Sequence, residues 1–416
     1  MFRILLLVVL FLQSFFFAIY AQDSTSTDDP FSSNAFDTAI AAGSSTDTKN
    51  KLEYLPGIFF VSEATGYSLT RSEGSGSDMR FYGKAFTKVT KSDIGSLYLG
   101  CNFNYFLYAA ANGATFERFY QAQSVDPKNV STTLSELHFS FDVKKLVFVR
   151  IGSQLLSWGA SYFWSPEDFV NQQKSQASTI SAVDIRTGKP GVRIHIPIQP
   201  ANVFLFTDFS SVLKNGVVGN LSESVAQAWR VDAAISGVNI GTVGYVAKDK
   251  PAQIGFDATG NLLSADIYGE TAFKFTDALN VAPDFSMSIG ASKALGQEQN
   301  WAARGEFYYN DKGYGDTTIS TVMRGNFTPL YSGKYYAYAE ISGTKFLTSI
   351  LGVGLFGYMN LADLSYSSTL QLNFDIPGVL PFSVYGRYFG GRDDREFTSA
   401  FGGEVVQGGV RVRGEF

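Results

Sequence analysis

The chain has 416 residues, of which 37 are Phe, 22 are Tyr and 41 are Gly, whereas only 17% are charged. That charged fraction is below the roughly 25% typical of soluble domains, and a mean hydropathy of +0.01 is too polar for a bundle of lipid-facing helices. The net charge of −5 gives no basic surface for nucleic acid. With one cysteine and two histidines, the chain can form no internal disulfide, and we expect neither a metal site nor a cofactor.

The first 21 residues have the three parts of a secretory signal peptide. Arg3 supplies the positive charge, residues 4–12 are apolar, and Ala21 is a small residue at the expected cleavage point. The alternative is an uncleaved anchor helix. Residues 22–54 are mostly polar and begin with a run rich in Ser, Thr and Asp, a composition that buries too little apolar surface to fold alone. We therefore predict a flexible polar arm, or a short plug of the domain that follows.

From residue 55 onward, apolar and polar residues alternate in many segments. In one of them Val192, Ile194 and Ile196 alternate with Arg193 and His195. No stretch after residue 21 approaches the roughly 18 apolar residues of a membrane-spanning helix. The alternation predicts β-strands with one apolar face. It recurs in residues 97–107, 136–142, 147–154, 266–275, 301–309 and 382–389.

Both a soluble β-sandwich and a transmembrane barrel are built from such strands. Here the apolar faces are rich in Phe, Tyr, Trp and Leu over about 9–11 residues, the length of a strand that crosses a bilayer at a tilt. The opposite faces have ionisable residues of both signs, which suit a water-filled lumen better than a protein core. We therefore predict an all-β fold for residues 55–416, a transmembrane antiparallel β-barrel of about 16 strands, within a range of about 14–18.

The last predicted strand ends the chain on an aromatic residue. Val410 and Val412 alternate with Arg411 and Arg413, and the sequence stops at Phe416. This pattern resembles the terminal strand of bacterial outer-membrane β-barrels, which implies that Phe416 is an assembly signal read by the barrel-assembly machinery. The resemblance also implies a location in the bacterial cell outer membrane, with membrane lipid and that machinery as partners.

A barrel of this width encloses an aqueous lumen unless something plugs it. Ionisable residues on the strand faces opposite the apolar ones are therefore candidates to line the lumen. They would form either a ladder of ion pairs that keeps the wall rigid or an electrostatic field that selects solutes. These candidates are Arg150, Arg193, His195, Arg230, Asp232, Asp266, Glu270, Lys274, Arg304, Glu306, Arg387, Arg411 and Arg413.

The stretch from Leu155 to Pro190 interrupts the strand pattern. Loops of this length are usually functional or disordered, and two Trp residues with a Pro indicate packing. The stretch is either an outer loop or a segment folded into the lumen as a constriction. For a constriction, the candidate residues are Trp158, Trp164, Asp168, Asn171, Asp184 and Arg186.

The same stretch carries a motif shared with other barrels. Gly152-Ser153-Gln154, Trp158-Gly159, Pro166, Asp168 and Asn171 resemble the G-x-Q, W-G, P-x-D and N sequence of several groups of large outer-membrane barrels. Those groups include polysaccharide-export barrels and porin-like proteins. The resemblance implies the class of protein rather than one member of it.

The pattern as a whole predicts a pore for small hydrophilic solutes, with inward charges that shape an electrostatic barrier at a constriction. Two alternatives remain, namely export or surface attachment of a polysaccharide, whose rings would stack on aromatic side chains, and a surface adhesin. Neither His138 nor His195 lies in a hydrolase motif, so we do not expect an enzyme.

Overall fold

The structure is a computed structural model and describes residues 52–71, 73–112, 128–171, 186–217, 220–248, 250–275, 282–296, 298, 300–315, 330–399 and 402–416. The predicted signal peptide, nearly all of the predicted arm, and Asp184 lie outside these residues. The first strand begins at Leu52, three residues before the predicted boundary of the barrel.

The described residues form one antiparallel sheet of 18 strands that closes on itself. Each strand pairs with its neighbours in the chain, and β18 pairs with β1 to complete the circle. The strands are β1 (Leu52–Leu69), β2 (Ser75–Lys91), β3 (Gly95–Asn112), β4 (Lys128–Val143), β5 (Val147–Gln154), β6 (Lys189–Ile198), β7 (Ala201–Asp208), β8 (Ala226–Ile235), β9 (Val238–Val246), β10 (Ala252–Leu262), β11 (Ala265–Phe275), β12 (Asp284–Leu295), β13 (Trp301–Asn310), β14 (Tyr335–Gly343), β15 (Leu351–Asn360), β16 (Ser365–Phe374), β17 (Phe382–Gly390) and β18 (Val405–Glu415).

The predicted all-β antiparallel barrel is confirmed, and its 18 strands lie at the upper limit of the predicted range. The central prediction of 16 was too low because some strands alternate poorly. In β15, for example, Gly352, Gly354 and Gly357 interrupt the pattern of side chains. The first four strands have 16 to 18 residues, so they are longer than the predicted span and continue beyond a bilayer.

Two short helices, α1 (Ser210–Asn215) and α2 (Leu221–Ser224), lie between β7 and β8. In the part of the chain that the structure describes, no helix is both long enough and apolar enough to cross a membrane.

The two ends of the barrel differ in their connections. At one end the strands are joined by short turns, such as residues 199–200 and 236–237. The first strand begins and the last strand ends at this same end. At the other end the connections are longer, including residues 155–188 and 311–334. The long connections supply the chain that enters the lumen.

Phe416 completes the seam between the first and last strands. Its N–H group donates to the carbonyl of Ile58 at 3.0 Å, and the Ile58 N–H donates to the Phe416 carbonyl at 2.9 Å. Its ring stacks on Phe60 with 6.3 Å between centroids. The role of Phe416 as an assembly signal stays a prediction.

The outer face of the barrel is apolar. Large aliphatic side chains point outward near the middle of many strands and are about half exposed, whereas polar side chains on the same strands point inward and are buried. Such an extended exposed apolar surface indicates contact with lipid. The outward side chains include Leu97, Leu137, Ile151, Leu205, Leu355, Leu370 and Val410.

Aromatic side chains border this apolar surface at both ends. At the long-connection end, the rings of Phe273 and Phe285 are 5.1 Å apart. At the short-turn end, Phe374 stacks on Phe382 at 4.7 Å. Aromatic girdles at both interfaces are typical of transmembrane barrels, because the rings suit the level of the lipid headgroups.

Two adjacent residues of β6 test the assignment of faces. Arg193 is buried on the lumenal side, and Ile194 alternates with it in the outward register, where it pairs with Leu205. We expect Ile194→Arg to destabilise the barrel by about 2–4 kcal/mol, because the substitution places a charge near the bilayer midplane. Arg193→Ile is the matched control and should fold normally. Unfolding in urea, followed by heat-modifiable gel migration, measures both, and equal stability of the two variants would contradict the assignment.

Candidate functional site

The long connection between β5 and β6 enters the barrel. Its described part, residues 155–171, is called here the inward segment. Phe163 and Trp164 are 0% exposed, and Leu156 is 1% exposed. Their contacts are with lumenal side chains of distant strands, so the inward segment lies in the lumen and not outside the barrel.

The wall beside β5 fixes both ends of this connection. The Leu155 N–H donates to Glu136 Oε1 at 3.0 Å, and Glu136 forms an ion pair with Lys84 of β2. On the return, the Gly188 N–H donates to the carbonyl of Ser135 at 2.8 Å. Both ends are therefore attached to one short stretch of β4.

Polar side chains within the connection hold it in a folded form. The Arg186 guanidinium forms an ion pair with Asp168, and both side chains are nearly inaccessible to solvent. The Asn171 amide donates to the carbonyl of Leu156, which is buried. Three predicted constriction residues thus organise the connection, and their contact with a solute stays a prediction.

The opposite side of the lumen binds the inward segment through Glu306 of β13. The N–H groups of Tyr162, Phe163 and Trp164 all donate to the Glu306 carboxylate, at 3.0, 2.9 and 2.7 Å. Hydroxyl groups from β11 and β12 add two more hydrogen bonds to the same carboxylate. Consecutive N–H groups that converge in this way form an anion-binding concavity, so the Glu306 carboxyl group supplies acceptors for otherwise orphaned buried donors.

Aromatic packing extends this contact. Phe163 stacks on Tyr338 with 4.2 Å between ring centroids, and Trp164 stacks on Tyr308 at 5.6 Å. The Trp164 indole N–H donates to the carbonyl of Leu330 at 2.9 Å. A second apolar cluster packs the other part of the segment against β7, β8 and β9. Its members include Leu156, Trp158, Val170, Phe206, Val243 and Tyr245.

A buried carboxylate also joins two of the long connections to the ends of β14 and β15. Glu396, in the connection after β17, accepts hydrogen bonds from Tyr336 Oη at 2.8 Å, Asn360 Nδ2 at 2.7 Å and Tyr314 Oη at 3.0 Å. The Leu330 N–H donates to its other oxygen. Because Leu330 also accepts from Trp164, this cluster supports the inward segment from the long-connection end.

Most acidic residues that face the lumen lie on the side covered by the inward segment. Arg230 of β8 forms a bidentate pair with Asp257 of β10 at 2.8 and 3.0 Å, and its Nε lies 3.3 Å from Asp232. We call the strands β8 to β14 the acidic wall, because carboxylates exceed guanidinium groups on their lumenal faces. Its charged residues include Arg230, Asp232, Asp257, Asp266, Glu270, Lys274, Arg304, Glu306 and Glu340.

The remaining wall has the opposite balance. Basic side chains on β2, β5, β6, β17 and β18 point into the lumen, where Arg411 pairs with Glu63 at 2.7 Å and Lys84 pairs with Glu136. We call this set the basic wall. Its basic residues are Arg80, Lys84, Lys88, Arg150, Arg193, Arg387, Arg411 and Arg413.

A cavity of about 150 Å³ lies at the basic wall, where β1, β2, β17 and β18 meet. Both guanidinium groups and carboxylates line this cavity. The lining includes Glu63, Asp78, Arg80, Tyr385, Arg387 and Arg411.

The predicted lumen-lining residues lie on the lumenal faces of their strands. His195 stacks between Phe148 and Phe204 and contacts Asn202 at 3.1 Å, so it belongs to a wall network. Asp266 and Lys274 lie near opposite ends of β11 and are exposed. Their roles in solute passage stay predictions.

Sequence reasoning missed several residues on which the site depends. Lys84 was not singled out, although Arg80, Lys84 and Lys88 share one strand face and could have been found from their spacing. Glu167 could not have been found in this way, because it lies in the connection and its partners are remote in the sequence.

Neither a family model nor a curated protein matches this sequence. Solved structures do match the fold. The chain is similar to Pseudomonas aeruginosa OccK5 (OpdH), with a TM-score of 0.53 and 8% identity over 88% of this chain and 98% of that one. It is also similar to Acinetobacter baumannii OccAB1, with a TM-score of 0.52 and 10% identity over 87% and 96% of the two chains. At such identities the likeness establishes the fold, which is a closed porin-like barrel of the outer-membrane type.

Replacement of the shared acceptor tests how the inward segment is held. We expect Glu306→Gln to loosen the segment, because the amide loses one acceptor oxygen and each buried N–H left unpaired costs about 1–3 kcal/mol. Acrylamide quenching of tryptophan fluorescence should rise, since Trp164 becomes accessible. Glu63→Gln is the control, because Glu63 is also a lumenal carboxylate but accepts hydrogen bonds from Arg411 and Tyr385 of the wall. Equal quenching in both variants and the wild type would contradict the assignment.

Proposed function

We propose that this chain is a bacterial outer-membrane channel through which small hydrophilic solutes diffuse, and that the inward segment is its constriction. The observation that carries the proposal is the burial of the inward segment within the lumen of a barrel whose outer face is apolar. Barrels of 16 to 18 strands are wide enough for an aqueous channel. A segment folded across that width would set the size limit for solutes.

The charges of the two walls support a preference for anions. The inward segment packs on the acidic wall through Glu306 and the aromatic side chains around it. The basic wall has Arg150 and Arg193 directly opposite each other on β5 and β6. Solutes that pass along the basic wall would meet a positive field, which favours small anions over cations.

The polysaccharide alternative is less well supported by the same segment. Its resemblance to export barrels includes Trp158 and Trp164, which would be expected to stack on sugar rings. Both side chains are instead buried, at 8% and 0% exposed, and the Trp164 ring faces Tyr308 and Tyr336. Their faces are therefore used for packing within the protein.

The location and partners follow from the proposed class. Membrane lipid would contact the apolar outer face, and the barrel-assembly machinery would read the strand that ends at Phe416. The proposal includes no chemical step, since the lumenal side chains are assigned to the wall and to the support of the inward segment.

Shortening the inward segment tests the constriction. A variant that lacks residues 161–187 loses the part of the connection bound to Glu306, so we expect a higher single-channel conductance in planar bilayers and weaker discrimination between solutes of different size. Heat-modifiable gel migration controls for assembly. Unchanged conductance in a correctly assembled variant would reject the constriction, and absence of conductance in the wild type would reject the channel.

Neutralising the basic wall tests the preference for anions. A unit charge about 10 Å from the path contributes about 0.4 kcal/mol in water, which changes the permeability of each ion about twofold and, because the sign is opposite for anions and cations, their ratio about fourfold. We therefore expect the double variant Arg150→Gln, Arg193→Gln to lower the anion-to-cation permeability ratio by up to about sixteenfold, as measured by reversal potential in a KCl gradient. Arg71→Gln is the control, because the Arg71 side chain is 71% exposed and pairs with Glu404. An unchanged ratio in the double variant would reject the assignment.

A further inference from the structure

A cluster of buried carboxyl groups lies between the inward segment and the acidic wall. Asp257 of β10 and Glu270 of β11 are directly opposite each other in the sheet, and both side chains are buried. Glu167 reaches the same place from the inward segment and is 0% exposed. The guanidinium of Arg230 is the basic group that contacts Glu167, and it already binds Asp257 with two hydrogen bonds.

Glu167 lacks the contacts that an ionised carboxylate needs. Its Oε2 lies 3.8 Å from Arg230 Nη1, which exceeds hydrogen-bond distance. Among the described residues, no donor is within hydrogen-bonding range of either carboxylate oxygen. The side chain lies directly over Gly255, where a Cβ atom would come within 2.7 Å of Glu167 Oε1.

Protonation of Glu167 removes its need for hydrogen-bond donors. A neutral carboxyl can donate its proton to the Asp257 carboxylate beside it, and it adds no negative charge to the cluster. Burial, and then the proximity of Glu270 and Asp257, raise the pKa of Glu167 to about 10, whereas Arg230 acts in the opposite direction. Buried carboxyls beside like charges commonly keep a proton at neutral pH for these two reasons.

We propose that the inward segment docks against the acidic wall together with a proton on Glu167, so that the constriction is held at acidic pH and released at alkaline pH. The groups that face Glu167 in the docked state are Arg230 and Asp232 of β8, Asp257 of β10 and Glu270 of β11. Glu270 in turn faces Glu306 of β13.

The direction of the pH dependence follows from linkage. When the segment is undocked, Glu167 is in water and has its ordinary pKa of 4.5, so it is ionised at neutral pH. Docking therefore takes up one proton between pH 4.5 and about 10. In that window the ratio of docked to undocked segment falls about tenfold for each pH unit. The proton on Glu167 stabilises the docked state fully below pH 4.5, and this stabilisation is lost as the pH rises toward about 10.

The substitution Glu167→Gln tests the proton. Glutamine has nearly the same shape and is neutral at every pH, so the variant should keep the segment docked throughout. Single-channel recordings at pH 6 and pH 8 measure the ratio of the lower to the higher conductance state. We expect this ratio to fall about a hundredfold in the wild type and to stay constant in the variant. Asp93→Asn is the matched control, because it removes an exposed carboxyl from the turn between β2 and β3, and it should behave as the wild type.

A second measurement does not depend on ion flow. In a background with Trp229→Phe and Trp301→Phe, the remaining Trp158 and Trp164 both report on the inward segment. Acrylamide quenching in lipid vesicles should increase from pH 6 to pH 8 in this background and should not increase when Glu167→Gln is added. If the protein shows the quenching change but no conductance, the proton coupling stands and the channel function fails.

Three results would overturn the proposal. The first is a wild type whose conductance and quenching do not change with pH, and the second is a Glu167→Gln variant with the same pH dependence as the wild type. The third is a wild type in which a chelator releases the segment at pH 6, since a bound cation would then neutralise the cluster in place of the proton. The described residues contain no group of three or more His, Cys, Asp or Glu arranged to hold a metal ion, so we expect the chelator to have no effect.

Discussion

The organisation of the lumen depends on the contact between Glu306 and three consecutive N–H groups of the inward segment. A segment without regular structure exposes unpaired backbone donors, and burial of such donors is unfavourable unless an acceptor meets them. One carboxylate on β13 supplies that acceptor for Tyr162, Phe163 and Trp164 together. The aromatic rings of the segment can then pack against β13 and β14, and this packing excludes water from the contact.

The same contact divides the lumen into two walls with different tasks. Carboxylates of the acidic wall bind the backbone and the buried side chains of the inward segment, so much of their charge is used within the protein. The basic wall has an excess of basic side chains and includes the cavity where β1, β2, β17 and β18 meet. The groups that position the constriction therefore lie on the acidic side of the lumen, and the groups that would meet solutes lie on the basic side.

The barrel itself depends on less specific constraints. Every strand pairs with two neighbours, which satisfies the backbone where lipid offers no hydrogen bonds. Any sequence meets this requirement if its strands have apolar side chains on the lipid face and side chains that fit the lumen on the inner face. This explains how the fold resembles that of OccK5 at only 8% identity. The inward side chains are free to differ, so selectivity and the hold on the inward segment belong to this chain rather than to the fold.

The sequence by itself determined the barrel, because alternation along a strand is a local property with a period of two residues. It also determined which face of β6 is lumenal, since Arg193 and Ile194 are adjacent and point in opposite directions. The strand count was less certain, because glycines in strands such as β15 carry no side-chain signal. Only the tertiary structure decided where the inward segment lies. Its partners, Glu306 and Asp257, are separated from it by roughly 90 to 140 residues and become neighbours only when the sheet closes, so no local pattern connects Glu167 with the buried carboxyl groups around it.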